Sequence, residues 1–450
     1  MAFSISNIIT EKLFGHYDYN LVEDNAPNKD SSKFLILYGD NGSGKTTILK
    51  SLFYLLSPQT GSGHKSNLAK TKYKSITIIL NNFISIRTYR EEGSLIGSYY
   101  IEIKENEKVI HNVLISTDND NLVHLSNLTD LNGFINLLRY IKDMNISIYY
   151  ISDKRKLLKI DPKDYNPLIN DDDLDKYNDK NLNKYLKFQE SLISREKESE
   201  DSLLEPIILQ VTNFIKEQSI VGSIKGEKDT NSIYKDIIKR ISDYDYYSDI
   251  DTAESINRQY LLNDLGNLSE QSISYSKFGL VSPFEYDDFL FIKNITENSS
   301  DQKKAIIYKI LEPYIDGMKA KFKALQNLYN LLYKFQNALT SYLVTKEVTI
   351  NVNNGIRINH IKGDEISISD LSSGEKQLLL LFCHVLLVDK NSSIFIIDEP
   401  EISLNIKWQR RLLNTLIQLN EFNETQYIIA SHSLEILSSH SNSVFQLKID

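Results

Sequence analysis

Hydrophobic positions in the first third of the chain alternate between strand-like and helical spacing. The run Phe-Leu-Ile-Leu-Tyr at 34–38 is continuously apolar, which is typical of a strand buried on both faces. A glycine-rich turn follows, and Thr46–Leu56 has the apolar spacing of a helix. Alternating runs separated by turn residues predict an antiparallel sheet of hairpins over 75–115. A helix over Leu131–Lys142 and a buried strand over Ile146–Ile151 complete this region.

The pattern changes between about 156 and 345. An amphipathic helix is predicted over Leu203–Val221, and residues 222–303 are polar, rich in tyrosine and interrupted by turn residues. Residues 304–345 form a long helical segment whose apolar positions alternate in steps of four and three. Such a seam fits either one helix of a bundle or one arm of a short antiparallel coiled-coil hairpin.

After residue 345 the strand patterns return, with buried strands at 393–397 and 426–430 separated by a helix. Alternating strands and helices indicate an α/β fold. We therefore predict one α/β domain with an antiparallel β subdomain, split by a mostly helical insertion. The predicted parts are an N-terminal half, the insertion, and a C-terminal half, at residues 1–155, 156–345 and 346–450.

Composition narrows the class of protein. The chain has 450 residues, of which 41% are hydrophobic and 25% charged, so it is an ordinary globular sequence and not a disordered one. A single cysteine, Cys383, excludes an internal disulfide. The net charge of −9 argues against a general nucleic-acid coat protein. Without a signal peptide or an apolar stretch of about 20 residues, we expect a soluble cytoplasmic protein with no membrane partner.

The most specific motif is a phosphate-binding loop. Residues 39–46 read Gly-Asp-Asn-Gly-Ser-Gly-Lys-Thr, which fits G-x-x-x-x-G-K-[ST] between a buried strand and a helix. Lys45 is predicted to bridge the β- and γ-phosphates, and Thr46 to ligate Mg²⁺. The alternative, a glycine-rich turn without a ligand, is disfavoured by the flanking strand and helix. The predicted ATP-binding residues here are Gly39, Asn41, Gly42, Ser43, Gly44, Lys45, Thr46 and Thr47.

Two further strands end in residues that suit phosphate chemistry. The strand Ile-Phe-Ile-Ile at 394–397 leads into Asp398 and Glu399. We predict that Asp398 helps to hold Mg²⁺ and that Glu399 is the base that polarises the attacking water. The second strand leads into His432, predicted to hydrogen-bond the γ-phosphate or the water. The alternatives are a solvent-facing acid pair and a structural histidine.

A second glycine-containing segment precedes a helix near residue 378. It reads Leu-Ser-Ser-Gly-Glu-Lys-Gln at 371–377. Ser372 and Glu375 form a capping-box pattern, so one interpretation is simply a well-capped helix. The functional interpretation is a second phosphate-binding helix start, made by Ser372, Ser373 and Gly374, that serves the nucleotide of a partner subunit.

The order of these four motifs resembles the ATP-binding cassette (ABC) ATPases of the SMC, RecF and OLD group. The resemblance covers residues 1–150 and 345–450. It implies a P-loop ATPase head, ATP and Mg²⁺ as cofactors, and a homodimer in which two heads enclose two ATP molecules. Ser372, Ser373 and Gly374 would then contact the ATP held by Lys45 of the other subunit. The segment Ser403-Leu404-Asn405 matches the D-loop of that family.

The sequence departs from that family at one motif. The strand near 146–151 should lead into a glutamine, yet Ser-Asp-Lys-Arg follows at 152–155. Asp153 or Arg155 is the candidate for part of that role.

Within this group, stand-alone ATPase subunits of bacterial anti-phage systems are the nearest resemblance, the PARIS type first and the Septu type second. The insertion is too short for SMC arms, and the 18 residues after His432 leave no room for a nuclease domain. The resemblance implies a separate nuclease effector, of Toprim type first and HNH type second, and a phage protein as trigger. The alternative is a RecF- or SMC-like DNA-repair or chromosome-maintenance ATPase that binds DNA directly.

Overall fold

The computed structural model describes residues 3–22, 33–59, 62–81, 83–124, 128–162, 200–242, 258–283, 301–388, 393–420, 425–438 and 440–448. The chain divides into two compact units, Met1–Leu203 together with Val388–Asp450, and Leu204–Leu387. Two stretches of sequence that are far apart along the chain therefore build the first unit.

The strands of the first unit are β1 (Ile5–Leu13), β2 (Tyr17–Val22), β3 (Phe34–Tyr38), β4 (Ser75–Leu80), β5 (Ile84–Tyr89), β6 (Tyr99–Glu105), β7 (Lys108–Ile115), β8 (Ser147–Ile151), β9 (Leu157–Ile160), β12 (Ser393–Asp398), β13 (Thr425–Ser431) and β14 (Val444–Gln446). Its helices are α1 (Lys45–Leu55), α2 (His64–Lys70), α3 (Leu128–Asp143), α8 (Ile406–Leu419) and α9 (Leu434–Ser438). The second unit contains α4 (Glu200–Ser242), α5 (Arg258–Ser276), α6 (Asp301–Tyr342), β10 (Lys346–Asn351), β11 (Gly355–His360) and α7 (Ser373–Leu386).

A mostly parallel sheet at the centre of the first unit has the order β14-β3-β13-β12-β8-β9. Every residue of β8, β12 and β13 is buried, which explains their continuous apolar runs. The neighbours β3, β13, β12 and β8 are parallel, and their registers pair Tyr38 with Ser431 and Asp398 with Ala430. Their carboxyl ends therefore lie along one edge of the sheet.

The second sheet of this unit is antiparallel, with the order β2-β1-β4-β5-β6-β7. The predicted α/β fold class and the hairpins over 75–115 are confirmed. The alternation of apolar and polar residues did not predict β1 and β2. Strand β1 pairs with β4, and β2 pairs with β1. Strand β2 also contacts the phosphate loop, because the Tyr19 hydroxyl donates to the Ser43 carbonyl at 2.9 Å.

Long helices and one hairpin make up the second unit. Helix α4 continues to Ser242, well past the predicted end at Val221, although Gly222 lies inside it. A Cβ at Gly222 would lie 2.5 Å from Leu325 of α6, so the glycine permits this close packing of the two helices. Helix α6 also packs against α5, where the Tyr275 and Tyr329 rings are parallel with centroids 4.2 Å apart.

The division into compact units differs from the predicted domain boundaries at 155/156 and 345/346. Strands β10 and β11 and helix α7 belong to the same unit as the long helices. One reason is the ion pair between Lys346 of β10 and Glu375 of α7, whose atoms are 2.5 Å apart. Tyr342 of α6 also packs its ring edge-on against Phe382 of α7.

No helix in the described part of the chain combines the length and the apolar character needed to cross a bilayer.

A buried arginine holds part of the antiparallel sheet against α2. The Arg90 guanidinium is 1% exposed and donates to three main-chain carbonyls, those of Tyr73, Leu68 and Ala69, at 2.8–3.0 Å. It also lies 3.9 Å from the centre of the Tyr73 ring. Because Leu68 and Ala69 belong to the last turn of α2, Arg90 ties this helix end to the sheet and adds to the N–H donors of Thr71 and Gly97 at the same carbonyls.

Replacing Arg90 with Met should therefore destabilise the first unit by about 3 kcal/mol, since three buried carbonyls each lose one charged donor. Urea unfolding followed by the fluorescence of Trp408, the single tryptophan, measures this change in the first unit. The control is Arg87→Met, because Arg87 is 40% exposed and its ion pair with Glu11 is at the surface. We expect the control to change stability by less than about 0.5 kcal/mol. Equal effects of the two substitutions would contradict the role given to Arg90.

Candidate functional site

The phosphate loop connects β3 to α1 at the carboxyl edge of the parallel sheet. Gly42 and Gly44 have φ values of 90° and 93°, a left-handed conformation that favours glycine. A Cβ at Gly44 would lie only 2.7 Å from a methyl group of Leu13. The loop therefore needs glycine at position 44 both for its backbone conformation and for its packing against β1.

Polar groups inside this loop suit a bound phosphate. Lys45 is buried, and its ammonium group donates to the carbonyls of Gly39 at 2.7 Å and Asp40 at 3.3 Å. The Ser43 hydroxyl is buried and has no hydrogen-bond partner. An ammonium group held by carbonyls of its own loop, beside an unsatisfied hydroxyl, fits a site for the phosphates of a nucleotide. Of the other predicted contacts, Asn41 is exposed at the loop tip and Thr47 is half-buried in α1.

Asp398 at the end of β12 lies directly beside this loop. Its side chain is fully buried. One carboxylate oxygen accepts a hydrogen bond from the Thr46 hydroxyl at 3.1 Å, and the other accepts one from the Tyr150 hydroxyl at 3.2 Å. Burial raises the pKa of Asp398, and the two hydrogen bonds oppose that rise. The structure thus brings the two predicted Mg²⁺ ligands together from opposite ends of the chain.

This pair of oxygen ligands fits Mg²⁺. A threonine hydroxyl and a carboxylate are the ligand types that this ion prefers, and a few protein ligands with water and phosphate oxygens complete its shell. Thr46 and Asp398 would hold the ion beside the phosphate loop.

The turn after β8 contains Asp153 and Arg155, the two candidates for the role of the missing glutamine. Arg155 is buried and donates to the main-chain carbonyls of Asp398 at 3.2 Å and Glu399 at 2.7 Å. Arg155 itself has a φ of 61°, in the left-handed region. Asp153 is exposed, and its charge contributes to the raised pKa of Asp398. Of the two candidates, Arg155 is the one that contacts the end of β12.

Glu399 and His432 meet at the same edge. The Nδ1 atom of His432 lies 2.5 Å from a carboxylate oxygen of Glu399, and the Lys45 ammonium lies 3.7 Å from the other. Glu399 has a φ of 50°, which is strained for a residue with a side chain. Burial, together with the nearby charge of Glu401, raises the pKa of Glu399 to about 7. The two predicted catalytic residues are therefore adjacent to each other, and Glu399 is also adjacent to Lys45.

Two contributors to this site, Tyr150 and Glu401, were not predicted from the sequence. Tyr150, which hydrogen-bonds Asp398, is one of two tyrosines in β8, and nothing local distinguishes it from Tyr149. Glu401 follows Glu399 by two residues, and its buried carboxylate accepts hydrogen bonds around His432. The cluster of three acids between 398 and 401 is a signal that could have identified Glu401.

Ser372, Ser373 and Gly374 lie in the second unit, at the start of α7. The predicted capping box is present: the Ser372 hydroxyl accepts from the Glu375 N–H, and the Glu375 carboxylate accepts from the Ser372 N–H at 2.8 Å. Ser372 and Ser373 are exposed, whereas Gly374 is buried.

A phosphate loop between a parallel strand and a helix, with a buried aspartate on another strand of the same sheet, defines a P-loop ATPase. The chain belongs to the family described as "AAA domain, putative AbiEii toxin, Type IV TA system", whose model matches residues 124–438, more than half of the chain. That match includes Asp398, Glu399 and His432, whereas the phosphate loop precedes it. The comparison with curated proteins gives no match.

Three solved structures of Smc head domains are similar to the chain at low identity. One, with an extended coiled coil and the C-terminal domain of ScpA from Pyrococcus furiosus, has 12% identity and a TM-score of 0.40, covering 99% of this chain and 93% of its own. A second, bound to the C-winged helix domain of ScpA, has 11% identity, a TM-score of 0.37 and coverages of 98% and 93%. The third, with a coiled coil and joint from Pyrococcus yayanosii, has 15% identity, a TM-score of 0.37 and coverages of 99% and 95%.

Replacing Lys45 with Ala should weaken ATP binding by roughly 10- to 100-fold, because a charge-assisted contact to phosphate is lost. Isothermal titration calorimetry with ATP and Mg²⁺ measures the affinity. The control is Lys70→Ala, at an exposed position at the end of α2. Equal affinity of Lys45→Ala and the unmodified protein would contradict the assignment.

Proposed function

We propose that this chain hydrolyses ATP to ADP and phosphate. The observation that carries the proposal is the hydrogen bond between Thr46 and Asp398, 352 residues apart, with Glu399 beside it and within 3.7 Å of Lys45. The phosphate loop, two oxygen ligands suited to Mg²⁺ and a further carboxylate thus lie together at one edge of the sheet, which supports the proposal. A structural protein would have no need to combine them.

In the proposed reaction, a water oxygen attacks the γ-phosphorus, the bond to the β–γ bridging oxygen breaks, and ADP leaves. The Glu399 carboxylate accepts the proton of the water, and His432 holds the second oxygen of that carboxylate through its hydrogen bond. Lys45 and the N–H groups at the start of α1 bind the phosphates. When bound, Mg²⁺ supplies positive charge that offsets the charge of the phosphates.

Replacing Glu399 with Gln should lower the ATP hydrolysis rate by about 100-fold, because the proton acceptor is lost. ATP affinity should stay close to that of the unmodified protein, since Lys45, Thr46 and Asp398 are unchanged. Phosphate release and calorimetry measure the two quantities. Glu435→Gln is the control, because Glu435 lies at the surface and pairs with Arg410. Hydrolysis by Glu399→Gln at the normal rate would show that another residue is the base.

We further propose that two copies associate so that each completes the site of the other. Two observations support this arrangement. Ser372 and Ser373 are exposed at the start of a 14-residue helix, where N–H groups can bind an anion. Large apolar side chains are also exposed next to the site in sequence, as expected for a surface that a partner covers. These are Ile402, Ile406 and Leu434.

Mixing two inactive variants tests this dimer. Ser373→Arg places a bulky side chain at the exposed helix start and should leave ATP binding intact while preventing hydrolysis. Lys45→Ala should bind ATP roughly 10- to 100-fold more weakly, so its own site stays empty at a limiting ATP concentration. A mixture of the two should recover ATPase activity, because each mixed dimer contains one intact composite site. The double variant Lys45→Ala/Ser373→Arg, mixed with either single variant, should recover none. If subunits exchange and the first mixture stays inactive, the shared-site arrangement is wrong.

The cellular role that we propose is a cytoplasmic ATPase switch in an anti-phage system. The description of the matching family names a toxin of a toxin–antitoxin system, which supports a chain that works with a second component. On this proposal the ATPase controls a separate nuclease, of Toprim type first and HNH type second, and responds to a phage protein. Co-purification with the product of the neighbouring gene, identified by mass spectrometry, is the direct test. A product without nuclease motifs would contradict the proposed effector.

A further inference from the structure

Glu401 is a buried carboxylate whose interactions surround His432. The residue is 5% exposed, and its Oε1 atom accepts three hydrogen bonds. The donors are the Ser431 hydroxyl at 2.6 Å, the His432 N–H at 2.8 Å and the Ser433 N–H at 3.1 Å. One oxygen atom therefore binds three consecutive residues at the end of β13.

These three hydrogen bonds hold the backbone at His432 in place. The His432 side chain is 55% exposed, so little packing restricts its orientation. Its Nδ1 atom nevertheless lies 2.5 Å from Glu399, and 3.4 Å from Oε1 of Glu401. With few packing contacts available, the position of the imidazole relative to Glu399 depends on the backbone that Glu401 holds.

Gln409 of α8 also links the turn after β12 to the end of β13. Its Nε2 atom donates to the main-chain carbonyl of Leu404 at 2.8 Å, in the turn that contains Glu401. Its Oε1 atom accepts from the Ser433 hydroxyl at 2.7 Å. Glu401 and Gln409 thus both join the turn after β12 to the end of β13.

A cation site is the other interpretation of Glu399, Glu401 and His432, since their ligand atoms lie within 4.8 Å of one another. The bonding of Glu401 argues against it. Oε1, the oxygen that faces His432, already accepts three hydrogen bonds from protein donors. The carboxylate therefore acts as an acceptor for protein donors.

We propose that Glu401 is a positioning residue for ATP hydrolysis, which holds His432 and, through it, the carboxylate of Glu399. This inference rests on the proposed function, in which Glu399 is the base. It predicts that Glu401 affects the rate of hydrolysis and not the affinity for ATP, because the phosphate loop makes no contact with it among the described hydrogen bonds.

The test compares Glu401→Ala and Glu401→Gln. Alanine removes the acceptor and should lower kcat by about tenfold with KM changed by less than about twofold. Glutamine retains an acceptor oxygen and should recover most of kcat. ATP affinity by calorimetry and Trp408 fluorescence report whether each variant is folded. A folded Glu401→Ala variant with normal kcat would overturn the proposal.

A double-mutant cycle with His432→Ala separates positioning from a general structural effect. If Glu401 acts through His432, then Glu401→Ala should cause no further loss of kcat once His432 is alanine. Losses that multiply in the double variant would overturn the proposal. Should Glu401→Ala not fold, Ser431→Ala provides the same test, since it removes one of the three donors. We expect about a threefold lower kcat, again absent in the His432→Ala background, and a normal kcat would be contrary evidence.

A failure of the positioning role of Glu401 can be distinguished from a failure of the proposed ATP hydrolysis. If Glu399→Gln hydrolyses ATP at the normal rate, the assignment of the base is wrong whatever Glu401 does. If Glu399→Gln is inactive and Glu401→Ala is normal, only the positioning role of Glu401 is wrong.

Discussion

The burial of the Asp398 carboxylate is the constraint on which the site depends. A carboxylate removed from water is costly unless donors replace the lost hydration. Here the donors come from Thr46 at the start of α1 and Tyr150 in β8, one for each oxygen. Three segments that are distant in sequence must therefore meet at one edge of the parallel sheet. The hydrogen bond from Thr46 also holds the start of α1, directly after the phosphate loop, against the end of β12.

The turn after β12 combines backbone strain with hydrogen bonds that hold it. Glu399 and Ser403 both have positive φ values, 50° and 64°, where residues with a side chain are uncommon. Each such residue costs about 1–3 kcal/mol and persists only when its surroundings determine the conformation. Arg155 binds the carbonyl of Glu399, and Gln409 binds that of Leu404, which supplies this restraint. Hydrogen-bond donors from two neighbouring elements thus hold the strained backbone of the turn that contains Glu399, the proposed base.

Much of the fold could be predicted because its central strands are buried on both faces. Burial of every residue in β12 and β13 requires continuous apolar runs, which are visible without a structure. The phosphate loop could be predicted because its glycines and lysine follow a fixed spacing. Strands β1 and β2 could not, since their apolar positions follow no simple alternation and β1 is buried irregularly. The contact of Tyr150 with Asp398 depends on strand order, which a local pattern does not contain.

The segment before α7 was interpreted either as a helix cap or as a phosphate-binding helix start, and the two are physically compatible. The capping box uses the N–H groups of Ser372 and Glu375. It does not use those of Ser373 and Gly374, and the first N–H groups of a helix have no partner within the helix. The Lys346 ammonium, 2.5 Å from Glu375, offsets part of the charge of the capping carboxylate, which would otherwise repel a phosphate. A helix start can therefore be stabilised by its own side chains and still bind the nucleotide of a second subunit.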